Sequence, residues 1–100
     1  MKTKIAFLIS TLGTGGAEKQ LIRTINLLNK NTYEIKLFVL TSVNDLKSEL
    51  DNEIPVTYFN LTSYANPLSH LKIFKAIRDY APALIIQSYA QGYLVAWIFS

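Results

Sequence analysis

The chain has 100 residues, half of them apolar, which is enough for one small hydrophobic core and so for a single domain or part of one. Its 10 Lys and Arg exceed its 7 Asp and Glu, but the two signs are interspersed without a long run of either, so nucleic acid is not an expected partner. The absence of cysteine excludes disulfide frameworks, thiolate metal sites and cysteine nucleophiles, and a reducing cytoplasm is the expected setting.

Lys2 and Lys4 followed by an apolar run imitate a secretory leader, yet the run is short and leads directly into a glycine-rich turn. Residues 5–12 instead predict a strand buried on both faces. Residues 17–29 predict an amphipathic helix, with Leu21, Ile22, Ile25 and Leu28 on one side and Lys19, Gln20, Arg23 and Asn26 on the other. After a polar turn, residues 33–41 are rich in β-branched and aromatic types and predict a second strand. A short helical piece is expected over 45–50. Pro55 then opens a third strand, 56–61, where a missing N–H is tolerated at a sheet edge.

Pro67 suits the first turn of a helix running to about residue 80, with Leu71, Phe74 and Ile77 expected on the sheet and Lys72, Lys75 and Arg78 outward. Pro82 ends that helix. Residues 83–88 predict a fourth strand and 92–100 the start of another helix, whose apolar stretch is far short of the ~20 residues a membrane span needs. Strands alternating with helices predict an α/β, Rossmann-like parallel sheet in the order 3-2-1-4, covered by helices on both faces. In such a sheet ligands bind at the carboxyl ends of the strands, here residues 13–18 and 87–91.

Gly13-Thr14-Gly15-Gly16 follows the first strand and opens the first helix. Glycines there permit positive φ and let an anion or a sugar hydroxyl approach backbone N–H groups at the positive end of the helix dipole. The same glycines also suffice simply to make a tight turn. A Walker loop is excluded because Ala17-Glu18 follows Gly16 where Gly-Lys-Ser/Thr is required. A dinucleotide fingerprint is disfavoured because Leu40-Thr41-Ser42 supplies no acid for a ribose. Glu18 has two readings, as a first-turn carboxylate stabilised by the dipole or as a ligand contact. His70, the one histidine, falls on a polar stretch and is expected to be a surface residue.

The segment Lys4-Ile5-Ala6-Phe7-Leu8-Ile9-Ser10-Thr11-Leu12-Gly13-Thr14-Gly15-Gly16-Ala17-Glu18-Lys19-Gln20 resembles the start of a retaining family 4 glycosyltransferase of the two-domain GT-B fold. Its Gly-Gly-Ala-Glu part is the most specific. Ile77-Arg78-Asp79-Tyr80-Ala81-Pro82-Ala83-Leu84-Ile85-Ile86-Gln87-Ser88-Tyr89 resembles the same family's basic helix, proline, buried strand and strand tip. The resemblance implies that residues 1–100 are an incomplete amino-terminal, acceptor-side domain, lacking the carboxyl-terminal donor-binding domain and inactive alone. It implies transfer of a sugar from a nucleoside diphosphate sugar to a sugar or lipid-linked acceptor in surface polysaccharide or glycolipid synthesis, without cofactor or metal. The loop carrying Gly13, Gly15, Gly16 and Glu18 would then face the donor diphosphate.

Where the family commonly has histidines after the fourth strand, this chain has Gln87 and Tyr89. Neither is a general base near neutral pH, so no catalytic residue carries over, though either can hydrogen-bond an acceptor hydroxyl. Lys72, Lys75 and Arg78 form a basic stripe suited to peripheral contact with the inner face of a membrane, and equally to an ordinary solvated helix face. Two rivals remain: a non-catalytic Rossmann-like domain binding an anion or nucleotide through the same turn, and an epimerase-like sugar-nucleotide enzyme, which the missing ribose acid disfavours.

Overall fold

The computed structural model describes residues 2–10, 12–13, 15–61 and 67–88, and the backbone of 94–98. In chain order the elements are β1 (Thr3–Ile9), α1 (Gly16–Leu27), β2 (Tyr33–Val39), a 3-10 turn (Lys47–Glu49), β3 (Val56–Tyr58), α2 (Pro67–Tyr80), β4 (Leu84–Ser88) and β5 (Leu94–Ile98). They form one sheet in the order β3-β2-β1-β4-β5. β1 pairs in parallel with β2, Ile5 opposite Ile35, and with β4, Ile5 opposite Leu84; β2 pairs in parallel with β3. The expected parallel order 3-2-1-4 is therefore present, and the fold is α/β and Rossmann-like.

Side-chain alternation along the strands divides the core into two layers. On one face Ile5, Phe7 and Ile9 of β1 and Ile35, Leu37 and Val39 of β2 pack with Leu21, Ile22 and Ile25 of α1. On the other, Ala6 and Phe38 pack with Ile73 and Ile77 of α2. The Phe38 ring stacks on Phe59 at 5.9 Å and meets the edge of Tyr80 at 6.1 Å. The two helices thus cover opposite faces of the same sheet.

Residues 94–98 are a strand and not the expected helix, paired antiparallel with β4, Ile86 opposite Ala96. A short apolar run does not distinguish the two by periodicity, and Leu-Val-Ala-Trp-Ile holds β-formers. β4 would otherwise end the sheet with unpaired backbone groups. The short separation from β4 also forces the antiparallel sense, because a parallel return needs a crossover of a dozen or more residues.

α2 has the expected bounds but a different buried face. Ile73 and Ile77 are buried, with Ala76 and Tyr80 packed beside them, whereas Leu71 and Phe74 are 62% and 56% exposed. Residues three apart slip back by about 60° per step around a 3.6-residue helix, so the 71-74-77 line reaches the sheet only at its end. The i, i+3, i+4, i+7 set at 73, 76, 77 and 80 is the true stripe. The helix ends where Ala81, at φ 55°, donates its N–H to the carbonyls of Ile77 and Arg78, and Pro82 follows.

Candidate functional site

β1 lies where the strand order reverses: β2 and β3 are on one side and β4 on the other. The crevice outside the carboxyl ends of strands at such a point is where open α/β sheets take ligands. Leu8 pairs with Gln87, so the chain leaves β1 beside the end of β4. Gly13, Gly15 and Gly16 follow at that edge, and α1 starts from Gly15 as its N-cap.

The turn is braced from the β2 side. Thr41 N–H donates to the Ser10 carbonyl at 3.0 Å, Leu12 N–H to Val43 at 3.3 Å, and Leu46 N–H to Leu12 at 3.1 Å. β1 ends at Ile9, short of the expected residue 12, and Leu12 beyond it is fully buried. Pinned at Leu12, the turn presents Gly15 and Gly16 to solvent.

Positive φ is not the reason for these two glycines. Gly15 is extended, at φ −69° and ψ 163°, and Gly16 is helical. A Cβ on Gly15 would lie 2.7 Å from Glu18 Oε1, the movable end of a flexible side chain, and one on Gly16 would meet nothing within 4 Å. Neither backbone conformation nor packing within the described residues demands glycine at 16. The missing side chain leaves bare backbone at the start of α1, where the first N–H groups have no intrahelical partner and Gly15 offers no side-chain cap. The helix dipole makes this end positive.

Glu18 occupies the first turn with its carboxylate folded back against Gly15, the position from which an acid offsets the dipole. The position suits the dipole-offsetting reading, and the nearness of the carboxylate to the turn leaves the ligand-contact reading equally open. The turn therefore offers N–H donors beside a carboxylate, a set that suits an anionic group carrying hydroxyls, provided Glu18 swings aside.

Gln87 is half-buried near the end of β4, and Tyr89 lies outside the described residues. Ser88, which falls within the 87–91 stretch expected to face a ligand but was not singled out there, is a buried polar residue at the strand tip, 7% exposed. The signal for it was its place as the last residue of a strand at the reversal point. His70 is exposed in the first turn of α2. Lys72, Lys75 and Arg78 are exposed on the same helix and do not join the glycine turn.

The opposite, amino edge of the sheet carries a separate cluster. Lys4 Nζ lies 5.3 Å and Lys36 Nζ 5.7 Å from the centre of the Tyr80 ring, and the Tyr80 hydroxyl donates to the Glu34 carbonyl at 3.0 Å. Burial, with the Glu34 charge added, pushes Tyr80 up to about 12. Two surface hollows also lie away from the glycine turn. One, of about 240 Å³, follows the outer side of α1 at Lys19, Arg23 and Asn26; the other, of about 280 Å³, lies near Lys2, Tyr33 and Pro55. Among the described residues no group of three or more His, Asp or Glu is placed to share a metal ion, and no helix is long and apolar enough to cross a membrane. The sequence matches no known family model and no curated protein.

Proposed function

We propose that this chain is the acceptor-side domain of a glycosyltransferase that moves a sugar from a nucleoside diphosphate sugar to a hydroxyl of a sugar or lipid-linked acceptor. The carrying observation is Gly16. It stands at the start of α1, at the reversal point of the sheet, with open space where a side chain would be. Bare N–H groups at the positive end of a helix suit the diphosphate that departs when the glycosidic bond to the donor breaks. Gln87, and Tyr89 two residues further along the sequence, would supply hydrogen bonds to the acceptor rather than a proton-abstracting base. The family resemblance of residues 4–20 and 77–89 supports the same reading, with a second, donor-gripping domain completing the active site.

The rival reading, a non-catalytic anion- or nucleotide-binding domain, would use the same bare N–H groups at the start of α1 without a transfer step. The two separate in one experiment on the full-length protein. Nucleoside diphosphate sugars are offered with and without extracted cell-envelope acceptors, and both ligand binding and nucleoside diphosphate release are measured. Acceptor-dependent release that Gly16→Val abolishes supports transfer. Binding of the diphosphate without release supports the rival, and neither binding nor release refutes both.

A further inference from the structure

α2 is apolar on two sides, and only one of them meets the sheet. Ile73 and Ile77 bury themselves against β1 and β2. On the far side Leu68, Leu71 and Phe74 are 66%, 62% and 56% exposed. Spaced three apart, they form a ridge rather than a groove, about 9 Å long at 1.5 Å rise per residue. Lys72, Lys75 and Arg78 are interleaved with them, all exposed, against one acid, Asp79. The Arg78 guanidinium lies 5.9 Å from the Phe74 ring centre, so cation and ring stand at the same level.

We propose that this outer face of α2 docks on an anionic lipid surface, Leu68, Leu71 and Phe74 entering the headgroup boundary while Lys72, Lys75 and Arg78 engage lipid phosphates. A convex apolar ridge mixed with cations fits a deformable interface, because long basic side chains reach headgroups while their stems stay apolar. A protein partner would require a groove lined with acids to match the same ridge. The excess of three cations over one acid supplies the complementarity to anionic lipid, with roughly a factor of five in partition for each basic residue. The inference rests on α2 alone and stands or falls apart from the glycosyltransferase reading.

The test uses the full-length protein and sedimentation with phosphatidylcholine vesicles, with and without phosphatidylglycerol. Binding is expected only to the phosphatidylglycerol vesicles and is weakened by salt. The triple variant Lys72→Gln, Lys75→Gln, Arg78→Gln should lower partition by about 100-fold, three factors of about five. Leu71→Ser with Phe74→Ser should also lower it, with an unchanged melting temperature because both positions face solvent. Unchanged partition of either variant overturns the proposal. So does a sharp fall in melting temperature on the serine changes, which would mean that another segment covers the ridge, or their conversion of an oligomer to a monomer, which would mean that a second copy does.

Discussion

Replacing Gly16 by alanine separates a turn that serves the fold from a turn that serves a ligand. The folded state has room for the change, since the added Cβ would meet nothing within 4 Å, and Gly16 is already helical. Alanine loses less conformational entropy on folding and is the better helix former, a gain of roughly 0.4–1 kcal/mol in compatible sites. At the first helical position the low end applies, about 0.5 kcal/mol. For a domain near 100 residues this raises the melting temperature by roughly 2–4 °C. If a diphosphate approaches this backbone, the same methyl lowers kcat/KM at least tenfold, about 1.4 kcal/mol of transition-state stabilisation. The assay is paired: thermal unfolding, and initial rates of nucleoside diphosphate release from the full-length protein. A more stable variant with unchanged rates refutes the placement of the turn at the donor. A less stable variant refutes the local geometry on which the reasoning rests.

Three further outcomes follow from packing and titration. Ala81→Gly should stabilise by about 1 kcal/mol in chemical denaturation, because Ala81 sits at φ 55°, where a Cβ is unfavourable and glycine is not. Phe38→Ala, at a fully buried side chain bridging Phe59 and Tyr80, should cost about 3–5 kcal/mol. Tyr80 has a folded-state value raised from 10.0 to about 12, so the folded protein holds this proton more tightly than the unfolded chain. The contribution is complete below pH 10 and is lost between about 10 and 12, so Tyr80→Phe should flatten the fall of stability in that window relative to the parent. Parallel alkaline unfolding curves for parent and variant would contradict it.

The sheet was legible because each of its parallel strands is a run of apolar, β-branched or aromatic residues separated by a helix-period segment or a proline. The one wrong assignment, at residues 94–98, involves a run with no polar residue to reveal a period. There the decision falls to long-range pairing with β4, which local sequence does not carry. The buried face of α2 was misjudged for a related reason. Apolar residues occur all around that helix, and the line at Leu71, Phe74 and Ile77 looked as good as the stripe centred on Ile73 and Ile77 until the sheet selected between them.

The place of the glycine turn in the sheet was legible, and its conformation was not. Strand order alone puts Gly13, Gly15 and Gly16 at the reversal point with Gln87 near the end of the neighbouring strand, because a parallel α/β sheet brings its carboxyl ends together wherever the chain changes direction. A glycine, however, permits unusual backbone angles without requiring them, and Gly15 and Gly16 adopt ordinary ones. The turn is also braced through Val43 and Leu46, some thirty residues away, whose backbone groups bond to Leu12, a pairing that local sequence does not announce. Once conformation is removed as the reason for Gly16, what distinguishes it from alanine is the open approach to the amino end of α1. That difference matters to a ligand and not to the core.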